Sequence, residues 1–195
     1  MKLQGSSFTV FCGSSDGASP VYREAADALG RGFAKRGARV VYGGASVGTM
    51  GALADGALAE GGEVVGVIPH TLRSREIAHH GLTELKVVES MHVRKALMSE
   101  LADGYVTLPG GFGTWEECFE VITWRMIGMH TRPVVILNLG GFYDPILAMI
   151  ERGMSEGFLR PFYRDYYRVA ATVDEVFTAL ESWESPAAPL NRWSV

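Results

Sequence analysis

Two short stretches carry residue types able to act on a phosphorylated sugar. The first is Pro109-Gly110-Gly111-Phe112-Gly113-Thr114-Trp115-Glu116-Glu117, a glycine-rich bend running into two adjacent carboxylates. Glycines at the start of a helix let an anion approach unpaired backbone N–H groups at the positive end of the dipole. Successive helical residues diverge by about 100°, so Glu116 and Glu117 cannot both face one ligand. The same spacing allows a second reading, because Thr114-x-x-Glu117 also satisfies a capping box. The second stretch is Ser90-Met91-His92-Val93-Arg94-Lys95. Ser90 suits an N-cap, and the adjacent Arg94 and Lys95 could clamp a phosphate and a ribose hydroxyl or simply form a solvated helix face. His92 reads as a packed or solvent-facing histidine.

Two further glycine-rich loops follow apolar runs: Gly13-Ser14-Ser15-Asp16-Gly17 and the stretch from Gly43 to Gly51. Ser14, Gly44, Gly48 and Gly51 are the phosphate-loop candidates there, against the alternative that the glycines only make tight turns. No Gly-Lys-Ser/Thr is present, which removes a Walker-type loop. No G-x-G-x-x-G after a strand is followed at the right distance by an acidic residue, so a dinucleotide fingerprint is unsupported. The loops suit a mononucleotide or a sugar phosphate.

The elements that must position these loops are legible from hydropathy. Short β-rich apolar runs fall at Phe8–Cys12, Arg39–Tyr42, Glu63–Ile68, Leu85–Val88, Tyr105–Leu108 and Pro133–Leu137. Most lack the alternation of a half-exposed strand, as buried parallel strands do. Helical patterns lie between them, at Pro20–Arg36, Met50–Glu60, Met91–Ala102, Thr114–Met129 and Asp144–Glu156. Thr172-Val173-Asp174-Glu175 is a capping box opening a last helix that ends near Ser182. Alternating strands and helices give right-handed crossovers and a mainly parallel sheet flanked by helices. The expected fold is a single doubly wound, Rossmann-like α/β domain over 1–183, with a loosely attached tail over 184–195. Ligands of such sheets bind at the carboxyl ends of the strands, where the three glycine loops fall.

Composition narrows the function further. The 195 residues fit one domain, and 47% hydrophobic content supplies a core without staples. A net charge of −4 and scattered basic residues argue against a nucleic-acid surface. Cys12 and Cys118 are too few for a disulfide framework or a zinc site, and two buried reduced thiols are expected. No metal is expected, because no His/Cys/Asp cluster has ligand spacing. No apolar run reaches membrane-spanning length and the start of the chain lacks a signal-peptide layout, so no membrane partner and a cytoplasmic setting are expected.

The paired stretches resemble the signature of the "lonely guy" family, cytokinin riboside 5'-monophosphate phosphoribohydrolases often mislabelled as lysine decarboxylases. The resemblance runs from about Phe8 to Leu159 and includes Cys12-Gly13-Ser14-Ser15, Gly43 to Gly51, Arg75-Glu76-Ile77, Val121-Ile122-Thr123-Trp124 and Gly141-Phe142-Tyr143-Asp144-Pro145. It implies Arg94 and Glu117 as the catalytic pair. It implies nucleotide contacts from Glu76, Lys95, Gly111, Phe112, Gly113, Thr114, Glu116 and Thr123, no cofactor, and a homodimer or an assembly of dimers. Ala45 departs from a glycine common in the second loop, and Thr49 and Trp115 stand where leucines are frequent; Trp115 is expected to reshape the base pocket. The implied reaction cleaves the N-glycosidic bond of a purine nucleoside 5'-monophosphate. A carboxylate at position 117 suits the oxocarbenium character of such a step, and Arg94 is expected to keep it ionised.

Two other readings stay beside this one. A nucleotide or cofactor carrier on the same fold would bind without turnover. A pyridoxal-phosphate lysine decarboxylase needs a Schiff-base lysine. Of the four lysines, Lys2, Lys35 and Lys86 have no motif context and Lys95 has a nucleotide role. The base preference is open: Met98, Trp115, Trp124 and Met129 could line an apolar pocket or belong to the core. The helix after the motif also carries Val121, Ile122, Met126 and Ile127, more apolar circumference than one stripe needs, which supports the homodimer.

Overall fold

The computed structural model describes residues 1–73 and 78–185. Seven strands form one sheet in the order β4-β3-β2-β1-β5-β6-β7, with every ladder parallel. In chain order they are β1 (Ser7–Phe11), β2 (Arg39–Tyr42), β3 (Val64–Pro69), β4 (Glu84–Val88), β5 (Gly104–Thr107), β6 (Val134–Leu137) and β7 (Arg168–Ala170). The helices are α1 (Pro20–Lys35), α2 (Gly48–Ala59), α3 (His70–Arg73), α4 (Met91–Glu100), α5 (Phe112–Met126), α6 (Asp144–Ser155) and α7 (Val173–Glu181). No helix of the described residues is long and apolar enough to cross a membrane.

The doubly wound expectation holds, and the reason is visible in the strand side chains. Along β1, Phe8 and Val10 enter one core layer with α1, α2 and α7, while Phe11 enters the other with α4 and α5. In β2, Val40 and Tyr42 take the first layer and Val41 the second. Strands covered on both faces carry apolar residues at every position, hence the missing alternation. In the first layer Phe33 stacks on Phe8 at 5.0 Å and meets Phe177 edge-on at 5.1 Å, tying α7 to α1 and β1. Cys12 and Cys118 are buried and unbridged, as expected.

Six strands and six helices fall within about three residues of their sequence positions, and the four-residue α3 has no counterpart among them. β7 was missed: it is a three-residue edge strand, too short and too polar to stand out from the surrounding loop. Of the tail, residues 184 and 185 are described. Ser185 accepts from Arg125 at 3.3 Å and donates to the Thr131 carbonyl at 3.3 Å, while Arg125 lies 5.0 Å over the Trp183 ring. The strand order reverses at β1, between β2 and β5, and the crevice above that point is where the glycine loops converge.

Candidate active site

β5 leads into the crevice through Leu108, whose N–H still donates to the Phe11 carbonyl of β1 at 2.9 Å. The chain then bends through Pro109-Gly110-Gly111 and starts α5 at Phe112, with Gly111 as an N-cap that has no side chain to offer. This start lies two residues before the Thr114 expected from sequence and removes the capping-box reading. Thr114 is inside the first turn and buried, and Glu117, a full turn further on, cannot reach the N-cap amide. A Cβ added at Gly111 or Gly113 would meet nothing within 4 Å. These glycines therefore border open space, and the α5 N-terminus faces it without a protein cap, the arrangement of an anion site.

Glu117 points instead into the protein, toward α4. Ser90 caps α4 by accepting from the Val93 amide at 3.2 Å, which sets Arg94 on the inward face of the first turn. Arg94 is buried; its Nε donates to the Val67 carbonyl at the end of β3 at 3.0 Å, and its Nη1 lies 3.7 Å from Glu117 Oε1. Gly43 makes this possible, since a Cβ there would sit 2.1 Å from Arg94 Nη2. Sequence reading placed Gly43 in a glycine run but gave no hint that it clears room for a guanidinium.

Burial pushes the Glu117 carboxyl up from 4.5 to about 7, the Arg94 charge opposing the shift without cancelling it. The Arg94 charge works in the expected direction, toward the ionised form, and desolvation outweighs it. The result is a carboxyl poised near neutrality beside a fixed cation, the condition for proton transfer at ordinary pH.

Glu116 and Glu117 diverge as helix geometry requires. Glu116 accepts from Lys95 Nζ at 2.5 Å and Glu120 from the same nitrogen at 2.9 Å. Lys95 therefore turns to α5 while Arg94 turns inward, and the two do not clamp one ligand together. Thr123 is exposed, in helical line with Glu116 and Glu120 and off the Glu117 face. Phe112 is 85% exposed at the mouth of the crevice, edge-on to Trp115 at 5.2 Å. Trp115 packs with Cys118, Phe119, Ile122, Tyr143 and Ile146 around a small apolar cavity between α5 and α6. Met98 belongs to the core and Met129 to the surface, while Trp124 is half-buried against the second core layer. His92 is solvent-facing.

The first loop lines an open cleft of about 360 Å³ with Ser14, Asp16, Tyr22, Thr49, Gly110 and Phe142 among its walls. Ser14 is exposed there. The second loop is arranged differently from expectation. Gly44, Gly48 and Gly51 are buried, and a Cβ at Gly48 would fall 2.3 Å from the Ser14 backbone. The first amides of α2 are already engaged: Thr49 donates to the Ser15 carbonyl at 3.4 Å, Met50 to Gly13 at 3.1 Å and Gly51 to Val47 at 3.1 Å. These glycines hold two loops together, whereas Gly111 and Gly113 at the start of α5 border open space. Glu76 lies outside the described residues; just beyond it, Ala78 bridges to Ala45 and the His79 amide donates to the Gly44 carbonyl at 3.0 Å.

The lysines do not fit a Schiff-base role. Partial burial works against the Lys95 charge, but hydrogen bonds to Glu116 and Glu120 outweigh it and hold the ammonium above its usual range. A Schiff-base lysine needs the opposite shift. Lys35 pairs with Glu60 and Lys86 with Glu84, outside the crevice.

The model of a family described as "Possible lysine decarboxylase" matches residues 50–180. The chain is 49% identical to the cytokinin riboside 5'-monophosphate phosphoribohydrolase of Rhodococcoides fascians, over 90% of this chain and 89% of that one. It is 45% identical to the cytokinin riboside 5'-monophosphate phosphoribohydrolase LOG7 of Arabidopsis thaliana, over 90% of this chain and 81% of that one. Among solved structures, TM1055 matches with a TM-score of 0.72 at 23% identity, covering 91% of this chain and 99% of that one. The molybdenum cofactor carrier protein of Chlamydomonas reinhardtii matches at 0.69 and 20% identity, over 90% and 96%. The two structural likenesses speak for the fold alone. The sequence likenesses reach further: this chain belongs to the family of the cytokinin riboside 5'-monophosphate phosphoribohydrolases, the one whose model carries the decarboxylase description.

Proposed function

We propose that the protein hydrolyses the N-glycosidic bond of purine nucleoside 5'-monophosphates, AMP and its N6-isoprenylated forms among them, to free base and ribose 5-phosphate. The observation that carries the reading is the buried Arg94–Glu117 pair, 3.7 Å apart, beside an uncapped helix N-terminus bordered by Gly111 and Gly113. The 5'-phosphate takes the α5 N-terminus, where the amides of Phe112, Gly113 and Thr114 and the helix dipole favour an anion. Ser14 supports it from the first loop. Phe112, with its ring exposed, covers the sugar or base. Lys95, Glu116, Glu76 and Thr123 belong to the outer part of the nucleotide site.

As the bond from C1' to the base nitrogen lengthens, its electron pair leaves with the base and positive charge grows on the ribose. Ionised Glu117 stabilises that charge and takes a proton from the water that attacks C1'. Solvent returns a proton to the departing base, which balances the step. Arg94 binds ribose or phosphate oxygens while remaining within reach of Glu117.

The reading includes a homodimer. Met91 and Val93 of α4 and Phe119, Ile127 and Met129 on and after α5 are exposed apolar residues on neighbouring helices of one sheet face. A second copy would cover them, together with the outward stripe that carries Thr123.

Product analysis tests the activity. The protein is incubated in parallel with AMP, isopentenyl-AMP, GMP, CMP and the corresponding nucleosides. Free base with equimolar ribose 5-phosphate from purine monophosphates, and far slower release from nucleosides, is the expected result. Equal kcat/KM for nucleoside and monophosphate contradicts the phosphate site. Tight AMP binding with no product would instead fit a carrier.

A further inference from the structure

The segment Gly140-Gly141-Phe142-Tyr143-Asp144-Pro145 forms no hydrogen bond or ion pair with Arg94 or Glu117, yet its geometry converges on the glycine loop that leads into α5. β5 pairs with β6 only as far as Thr107 opposite Ile136. Leu108, one residue on, faces β1 through its amide, and its carbonyl lies beyond the ladder in the interior. There the Tyr143 hydroxyl, itself buried, donates to it at 2.6 Å. The hydroxyl thus satisfies a buried carbonyl at the last residue before Pro109-Gly110-Gly111. The Leu108 amide donates to Phe11, so this residue is held through both of its backbone polar groups.

The rest of the segment fixes Tyr143. Gly140 and Gly141 adopt left-handed φ values of 60° and 78°, which turn the chain sharply after β6. A Cβ at Gly141 would also meet Asp144 Oδ2 at 2.6 Å. The Tyr143 amide donates to Asn138 Oδ1 at 2.7 Å, and Asn138 Nδ2 donates to Asp144 Oδ1 at 2.7 Å. Pro145 then follows inside the first turn of α6. Phe142 packs edge-on against the Tyr143 ring at 4.9 Å and forms the cleft wall with Tyr22 at 5.9 Å.

We propose that Tyr143 is a positioning residue for phosphate recognition, holding the Leu108 carbonyl so that the loop into α5 presents its amides to the 5'-phosphate. The inference rests on the phosphate site proposed above. Its mechanism is local: without the hydroxyl, the Leu108 carbonyl is buried and unpaired, and the loop shifts to satisfy it. The loss falls on ligands bearing the phosphate and spares those without it.

The test compares wild type with Tyr143→Phe, with Asn138→Ala, which frees the Tyr143 amide, and with Val176→Ala. Val176 is buried in α7 on the opposite face of the sheet, so that variant loses stability without touching the loop. Three quantities are read: melting temperature, affinity for AMP and ribose 5-phosphate by calorimetry, and the ratio of kcat/KM for AMP over adenosine. Tyr143→Phe is expected to lose about tenfold in both affinity and ratio, the scale of one buried hydrogen bond. Asn138→Ala shifts the same way, and Val176→Ala lowers only the melting temperature. Wild-type affinity and ratio in Tyr143→Phe, with only a lower melting temperature, would overturn the proposal. Should the wild type bind AMP without cleaving it, the affinity comparison still decides the role of Tyr143 while the hydrolase reading falls. Absence of any AMP or ribose 5-phosphate binding by the wild type removes both.

Discussion

Replacing Glu117 by glutamine should make the protein more stable, and only above mildly acidic pH. The folded protein holds this carboxyl at about 7 rather than the ordinary 4.5, chiefly because it is buried. A raised carboxylate pKa means that the native state binds the proton more tightly than the unfolded chain does. Below pH 4.5 both states are protonated and the carboxyl costs nothing. Stability then falls with rising pH through the window up to about 7, and the full penalty persists above it. A shift of about 2.5 units corresponds to roughly 3 kcal/mol. Glutamine has nearly the same shape and no charge, so it escapes that penalty. For a chain of this size, about 3 kcal/mol is a rise of roughly 6–12 °C in Tm. The assay is thermal unfolding of ligand-free wild type and Glu117→Gln at pH 5, 6, 7 and 8. The difference should be under about 1 kcal/mol at pH 5 and should grow to its plateau by pH 8. A variant less stable than wild type at pH 8, or a difference that ignores pH, would refute the reasoning. Either result would mean that the Arg94 attraction exceeds the desolvation of the carboxyl.

Three other outcomes follow from the same geometry. Arg94→Ala should lower kcat/KM for AMP by at least about 100-fold and weaken AMP binding, and its combination with Glu117→Gln should be strongly non-additive, as steady-state kinetics on the single and double variants would show. The kcat/KM for AMP should rise with pH through an apparent pKa near 7 as Glu117 ionises, and a pH–rate profile falling through that region would reverse its role. Light scattering at micromolar concentration should find a dimer or larger, and Met129→Glu should shift it toward the single chain; a wild type found only as single chains contradicts the covered α4–α5 face.

Much of this was legible in the residues. Strands buried on both faces announce themselves as short unbroken apolar runs, so hydropathy alone locates the sheet and its glycine loops. The divergence of Glu116 from Glu117 followed from helix geometry alone. What escaped had physical reasons. β7 is three residues at a sheet edge, below the length at which pattern speaks. The capping reading of Glu117 turned on whether α5 starts at Phe112 or Thr114, and glycine loops blur that boundary. The direction of the Glu117 shift needed burial, which no spacing reports. The division of labour among glycines was hidden as well: Gly43 clears Arg94, Gly48 joins two loops, and Gly111 and Gly113 face open space. In sequence they look alike.

Turnover by Glu117→Gln at saturating AMP tests the central claim most directly, because the start of α5 at Phe112 leaves no capping role for this side chain. With folding and AMP affinity first shown to be retained, kcat should fall by about 10²–10⁴, the range for a positioned acid–base group. That fall corresponds to roughly 3–5 kcal/mol of transition-state stabilisation. A variant that keeps more than about a third of wild-type kcat lies far outside that range and would contradict the assignment of Glu117 to the chemistry.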